Sequence, residues 1–239
     1  MRSKKISAGQ NIKVRDGEWS FSKIEKKFDQ HINTSVPFYE EGHEIIKNIS
    51  TFFLMEKSSC LDIGCSTGTL LNKISKKLNN RKIFFTGIDT QKGMIKEAKK
   101  KNKNNKKISF SSEKLENVKL KKSDFVVSYY TIQFIKPKYR QKVYNEIYKS
   151  LNWSGGFVLF EKVRSPDARF QDLMTQVYSE YKNDVGYNEK QIYHKAVSIR
   201  GFLEPFTSTA NKAYLKRAGF KDILTIQKYG PFEGILAIK

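Results

Sequence analysis

The residues best able to do chemistry sit in one short run, Asp62-Ile63-Gly64-Cys65-Ser66-Thr67-Gly68. A β-rich stretch precedes it and a helical pattern through Leu70, Leu71, Ile74 and Leu78 follows, so the run reads as a strand, a tight turn and a helix N-terminus. Glycines stand where backbone must turn sharply and approach a ligand closely, and the first turn of the helix adds unpaired N–H groups. A second acid, Asp89, ends the next β-rich run at residues 83–88, where a carboxylate accepts hydrogen bonds from ribose hydroxyls in this topology. Such a turn suits either a dinucleotide such as NAD or S-adenosylmethionine. Asp62, on the strand end ahead of the first glycine, would repel a pyrophosphate but assist a ligand that carries an amino group and a sulfonium. The expected cofactor is therefore S-adenosylmethionine, with S-adenosylhomocysteine as product. Asp62, Gly64, Cys65, Ser66, Gly68, Asp89 and Thr90 would hold it, and Glu113 would meet the adenine amino group.

The elements that must position these residues follow from hydrophobic period. Phe21, Ile24, Phe28 and Ile32, then Tyr39, His43, Ile46 and Ile49, have helical spacing, and Pro37 breaks them into two helices. Short strands are expected at residues 60–63, 83–88, 108–110, 124–128 and 157–160, with helices between them. That alternation implies a parallel, doubly wound sheet. Two final strands, residues 222–228 and 234–239, flank a turn at Gly230-Pro231 and can only pair antiparallel. The expected fold class is α/β, a Rossmann-like class I methyltransferase fold: a mostly parallel seven-stranded sheet ending in a C-terminal antiparallel hairpin. That hairpin also speaks against a dinucleotide domain. Residues 1–15 are basic and polar and are expected to be mobile, ahead of a single domain over 16–239. Within it, residues 16–55 form N-terminal helices and residues 165–210, irregular in pattern, form a lid or substrate region.

Composition bounds the partners. The 239 residues are 38% hydrophobic and 13% aromatic, enough apolar material to offset ordering entropy. The formal charge of +21 suggests a nucleic-acid partner at first sight. However, 37 of the 45 basic residues are lysines spread along the whole chain, as in a compositional bias rather than a binding patch. A small-molecule substrate is favoured over nucleic acid. No segment approaches a membrane span, and Cys60 and Cys65 suggest neither a disulfide framework nor a zinc site, so a cytoplasmic place and no metal are expected.

Several longer motifs resemble one family. They are Gly17-Glu18-Trp19-Ser20-Phe21, Ser35-Val36-Pro37-Phe38-Tyr39, the turn above, Thr131-Ile132-Gln133-Phe134, Gly155-Gly156-Phe157-Val158-Leu159, Glu161-Lys162, Gly186-Tyr187 and Lys216-Arg217-Ala218-Gly219-Phe220. Together they span nearly the whole chain and are similar to the carboxy-S-adenosylmethionine synthases, which act in modifying the wobble uridine of tRNA. The resemblance implies a homodimer and a cofactor site lined by Tyr39, Gly64, Asp89 and residues 128–133, hence Ser128 and Tyr129. It also implies a reaction in which carbon dioxide from prephenate joins the methyl carbon of S-adenosylmethionine.

The new carboxylate needs a cation, which the family draws from an Arg in the pattern that reads here Lys212-Ala213-Tyr214-Leu215. Tyr214 stands at that position, and Tyr129 stands where the family has Asn. A phenol cannot replace a guanidinium. The expectation is therefore ordinary methyl transfer to a small molecule. The alternatives are a carboxy-S-adenosylmethionine synthase whose cation is Arg200 or Lys212, and a non-catalytic module that binds S-adenosylmethionine or RNA. Tyr39, Tyr129 and Tyr214 are the catalytic candidates, joined by Tyr193 in a possible cage for a cationic amine or thioether. His43 and His194 lie near the expected opening, whereas His31 reads as a helix surface residue.

Overall fold

The computed structural model describes residues 6–7, 13–14, 21 and 24–239. Two dipeptide strands, β1 (Ile6–Ser7) and β2 (Lys13–Val14), pair antiparallel within the stretch expected to be mobile. Helices α1 (Phe28–Ser35) and α2 (Tyr39–Phe53) come next, and then the alternation begins: β3 (Ser59–Ile63), α3 (Thr69–Lys77), β4 (Phe84–Asp89), α4 (Lys92–Lys101), β5 (Ile108–Ser112) and β6 (Ser123–Tyr129). The second half runs α5 (Pro137–Ser150), β7 (Leu151–Lys162), α6 (Ala168–Asp184), α7 (Glu189–Ser198), α8 (Ser208–Ala218), β8 (Asp222–Tyr229) and β9 (Phe232–Ile238). Seven strands form one sheet in the order β5-β4-β3-β6-β7-β9-β8, parallel from β5 to β7 and antiparallel across β7-β9-β8.

The central strands are apolar without alternation because both faces are covered. In β6, Phe125, Val126 and Val127 are all fully buried, as a parallel strand between helical layers requires. Ile46 of α2, Leu71 and Ile74 of α3 and Ala98 of α4 pack one face. Val143 and Ile147 of α5 and Leu215 of α8 pack the other. The order of connections reverses between β3 and β6, which opens a crevice beyond the carboxyl ends of the strands, where α/β sheets bind ligands.

The break at Pro37 aims α2 at that crevice. Val36 is extended, as the residue before a proline must be, and Phe38 takes a left-handed φ of 54° before Tyr39 starts the helix. The preceding element is shorter than its periodicity suggests: residues 25–27 form a 3₁₀ turn and the α-helix starts only at Phe28. Gly17, Glu18, Trp19 and Ser20 lie outside the described residues.

Residues 165–210 are more regular than expected. Asp167 caps α6 by accepting the Phe170 N–H at 3.0 Å, and Asn188 with Gln191 forms a reciprocal capping box on α7. The helical period of α6 is blurred because two of its faces are apolar. Phe170, Leu173 and Val177 point outward, 44–49% exposed, while Met174 and Tyr178 face inward. Among the described residues no helix is long and apolar enough to cross a membrane.

The two-sided core makes an expected outcome for stability. Replacing the fully buried Ile74 by Ala should cost about 2–4 kcal/mol of unfolding free energy, whereas Phe84→Ala, at a side chain 66% exposed, should stay within about 0.5 kcal/mol. Urea unfolding of both variants checks the pair.

Candidate active site

At the carboxyl ends of β3, β4 and β6 lies a cavity of about 580 Å³ that α1, α2, α6 and α7 roof over. Its floor is the turn after β3. Gly64 sits at φ 76°, where its N–H and that of Cys65 both donate to the Ile88 carbonyl at 2.7 and 3.0 Å. A Cβ at Gly64 would collide with the Thr131 side chain, so the turn needs glycine for both conformation and space. Gly68 closes the turn at φ 74° with Phe110 against it. Asp29 of α1 fastens the loop from above: it accepts from the Thr67 and Thr69 hydroxyls at 2.6 and 3.1 Å and from Lys101 at 2.7 Å. Burial alone would raise its pKa, but the Lys101 and Thr67 hydrogen bonds outweigh burial and hold the carboxyl below its usual range.

The acidic pole comes next. Asp89 accepts the Ser66 and Gln91 N–H groups at 3.0 and 2.8 Å, yet burial still raises its carboxyl. Asp62 is 2% exposed, and its Oδ1 has no hydrogen-bond partner. Burial, then the neighbouring Asp89, push its pKa up to about 8. Two acids share a low-dielectric end, and among the described residues no cation pairs with either of them. Thr90 and Glu113 line the same end, with Glu113 accepting from the Ser111 hydroxyl at 2.6 Å.

An aromatic wall adjoins the acids. The Tyr39 ring lies 4.7 Å from His43, 4.8 Å from Tyr129 and 6.2 Å from Tyr130, and the Tyr129 hydroxyl donates to the Tyr39 carbonyl at 2.6 Å. Gly42 makes this packing possible, since a Cβ there would strike the Tyr129 hydroxyl. His43 is buried, and burial followed by Lys73 pulls its pKa down to about 4, so its ring is neutral near pH 7.

The opposite wall is basic. Lys182 and Lys195 are buried, and Lys162 from the end of β7 is partly so. The amines of Lys162 and Lys182 lie 4.4 and 4.2 Å from the centre of the Tyr178 ring. Lys195 donates to the Ser35 hydroxyl at 2.7 Å and lies 2.9 Å from His31 Nε2. His31 is thus a buried residue of the cavity and not the surface residue its helix suggested. It faces inward because α1 is covered by α7, and burial with Lys195 beside it pulls its pKa down to about 3. Burial pulls Lys182 down to about 7 and Lys162 to about 8, with Lys162 and Arg164 adding to the respective shifts. Among the described residues no carboxylate pairs with Lys162 or Lys182.

Most of the residues singled out from sequence meet here. Tyr39, Asp62, Gly64, Cys65, Ser66, Asp89, Thr90, Glu113 and Tyr129 all line the cavity. Gly68 and Ser128 lie behind its wall, Ser128 fully buried in β6. Tyr214 does not join the site. It belongs to α8, which packs with α5 on the opposite face of the sheet, and its ring stacks on Tyr144 at 5.5 Å and Phe206 at 5.7 Å. Tyr193 is 67% exposed, His194 reaches the Ser7 carbonyl at 3.3 Å, Arg200 is exposed and Lys212 lies 3.6 Å from Glu233. None of these four lines the cavity. Tyr130, within the 128–133 segment that the resemblance implied, lines the cavity too, whereas the sequence reading missed Tyr178 and the three lysines as site residues. Glu161-Lys162, a charged pair directly after an apolar strand, was the one legible signal.

Asp62 carries a pH-dependent cost. With its pKa raised from the usual carboxylate range to about 8, the folded chain holds a proton there that the unfolded chain releases, so stability falls as pH rises from about 4 to 8. Asp62→Asn should raise the unfolding free energy of the ligand-free protein at pH 9 by about 1–3 kcal/mol. The same variant should lose the thermal stabilisation that S-adenosylmethionine confers. Thermal melts with and without the nucleoside check both halves.

The comparisons agree with this geometry. Residues 60–155 match the model of the methyltransferase domain. The structure superposes on human N-acetylserotonin methyltransferase in complex with SAM at a TM-score of 0.58, with 19% identity over 84% of this chain and 55% of that one. It superposes on a Methanococcus maripaludis protein at 0.60, with 18% identity over 96% of both chains. These likenesses show the Rossmann-like fold. A carboxy-S-adenosyl-L-methionine synthase of Staphylococcus epidermidis is 37% identical over 93% of this chain and 97% of its own length. One from Nautilia profundicola is 35% identical over 89% and 90%. An S-adenosylmethionine-dependent transferase by fold and by relatives, the chain belongs to the carboxy-S-adenosyl-L-methionine synthase family.

Proposed function

We propose that this enzyme carboxylates the methyl carbon of S-adenosylmethionine, with prephenate as carboxyl donor and phenylpyruvate as the second product. The observation that carries the reading is the polarity of the cavity, with acids that no cation among the described residues balances at one end and, at the other, the Lys162 and Lys182 amines, with which no described carboxylate pairs. The argument for plain methyl transfer rested on two departures, Tyr214 in place of an Arg and Tyr129 in place of an Asn, and of these only Tyr129 lines the cavity. Tyr214 faces away from the cavity, so its identity says nothing about an anion bound there.

The acidic pole fits the cofactor. The partnerless Asp62 oxygen suits an ammonium group, Asp89 retains acceptor capacity for ribose hydroxyls, and the faces of Tyr39, Tyr129 and Tyr130 suit a sulfonium. When bound, S-adenosylmethionine supplies a methyl carbon activated by the adjacent sulfonium. The chain's own part is to align two ligands, exclude water beneath α6 and α7, and hold negative charge at the amines. The balance closes without a further reactant. Prephenate gives up its ring carboxyl and its hydroxide, the methyl carbon gives up a proton and gains the carboxyl, and hydroxide and proton leave as water.

A second reading, methyl transfer to a small acceptor, is favoured by the aromatic wall, which would cage a cationic amine or thioether. Finer assignments belong to the proposal as well. The described part of residues 16–239 acts as one domain, and residues 165–210 act as the lid, since α6 and α7 contribute Tyr178, Lys182 and Lys195 to the cavity. The outward stripe of Phe170, Leu173 and Val177 supports a homodimer, and two buried free thiols, Cys60 and Cys65, support a reducing cytoplasm.

Incubation of the purified enzyme with S-adenosylmethionine and prephenate, followed by mass spectrometry of the nucleosides, should yield carboxy-S-adenosylmethionine and an equal amount of phenylpyruvate. Release of S-adenosylhomocysteine with an amine acceptor, and no carboxylated nucleoside, would establish the second reading. Tyr214→Phe should keep kcat/KM within a factor of about two.

A further inference from the structure

The Lys162 and Lys182 amines are costly to bury in a cavity wall, because each loses hydration that no acid among the described residues replaces. The bland account, lysine stems lying over apolar surface with their amines in water, does not fit Lys182, whose side chain is buried. What holds two of the amines is a ring. The Tyr178 ring is anchored, since its hydroxyl donates to the Ser35 carbonyl at 2.6 Å, and Ser35 also bonds the Tyr187 hydroxyl at 3.2 Å and Lys195 at 2.7 Å. A ring face steadies an ammonium group while leaving its N–H donors available. Beside this wall the same cavity is lined by Phe21, Phe134 and Phe202, with ring centroids 5.1–6.0 Å apart, an apolar surface suited to a carbocycle.

We propose that Lys162 and Lys182, steadied by the Tyr178 ring and backed by Lys195, form the seat for a carboxylate of the ring-bearing co-substrate, and that the seat gains a proton when it fills. The assignment rests on the carboxylation reading for the identity of that co-substrate, but the seat itself follows from the wall. Among the described residues the titratable groups that face the pair are Lys195 of α7, His31 of α1, the Tyr178, Tyr187 and Tyr130 phenols, and Arg164 beyond β7, with no carboxylate among them. Burial, with Lys162 beside Lys182 and Arg164 beside Lys162, leaves Lys182 and Lys162 titrating at about 7 and 8, so the empty seat is incompletely charged near neutrality. An incoming carboxylate raises both amines and draws a proton from solvent. Binding therefore tightens as pH falls through about 9 to 7 and weakens above that range. Tyr178 and Lys195 are positioning residues in this arrangement.

Isothermal titration of the full-length enzyme with phenylpyruvate, S-adenosylmethionine present, tests the seat. Runs at pH 7.5 in buffers of different ionisation enthalpy should show uptake of a fraction of a proton per ligand. Lys182→Met and Lys162→Met should each weaken phenylpyruvate by about tenfold to a hundredfold while S-adenosylmethionine affinity holds. Lys182→Arg, which does not titrate in this range, should still bind phenylpyruvate but with less proton uptake. Absence of proton uptake in the unaltered enzyme, or unchanged phenylpyruvate affinity in both Met variants, overturns the proposal. Should a Met variant not fold, Lys182→Arg decides, and uptake unchanged from the parent overturns the seat. Phenylpyruvate binding with uptake but no carboxylated nucleoside from prephenate would keep the seat and sink the reaction. Carboxylated nucleoside formed at the parental KM for prephenate in both Met variants would keep the reaction and sink the seat.

Discussion

A buried carboxylate without a counter-charge among the described residues is the constraint from which the rest of the site follows. Asp62 lies at the end of a central strand, walled by apolar neighbours, beside a second acid that makes ionisation harder still. A fold selected for stability alone would place an amide or an apolar residue there, since a lone buried charge is among the costliest features a core can hold. The arrangement fits the proposed site, in which a cation arrives from outside the chain. The sharp turn at Gly64, the fastening of α1 by Asp29 and the tyrosines of α2 and β6 are all ways of fixing where that cation must sit. Pre-organisation of this kind costs stability in the free protein and returns it on binding.

The basic wall is the mirror of that constraint, and the sheet explains how one cavity contains both. Strands β3 and β4 end in acids at the crevice where the order of connections reverses, whereas β7, two strands away from β3, ends in Glu161-Lys162. Alternation along β7 turns its last two residues to opposite faces. Glu161 is buried among Arg140 and the Gln133 N–H at 3.2 Å, and burial pushes its pKa up to about 8. Lys162 turns to the cavity. Helices α6 and α7 then complete the basic wall and keep water from it. Water there would screen the charges and weaken the attraction that both ends exert on a ligand.

The fold was largely legible in the sequence because its signals are local. Continuous apolar runs mark strands covered on both faces, Pro37 marks the break between α1 and α2, and Gly219 at φ 123° marks the end of α8. The acidic pole was legible for the same reason, since a strand, a glycine turn and a following acid lie close together in sequence. The basic wall was not. Lys182 and Lys195 are two of 37 lysines, and nothing in their immediate neighbours distinguishes a buried amine from a solvated one. Their burial comes from two helices folding back over β7, a non-local event. Helix α6 itself was hidden because an outward apolar stripe and an inward one together erase the single-faced period that marks an amphipathic helix.

Tyr214 shows why a departure from a family motif has to be located in space before it is read as chemistry. On the sequence it replaces the guanidinium expected to hold a carboxylate, and together with Tyr129 in place of an Asn it pointed away from a carboxylated cofactor. In the fold its ring is stacked between Tyr144 and Phe206, with Arg217 4.5 Å from its centre, all on the far side of the sheet from Asp62. A side chain so placed contributes packing and cation–π contact, which tyrosine supplies as well as any residue. The requirement for a cation near the methyl carbon remains, because it comes from the charge of the carboxylated product and not from the identity of one position. In the proposed reaction Lys162, Lys182 and Lys195 would supply positive charge to the cavity from β7, α6 and α7, across from the acids proposed to receive the cofactor.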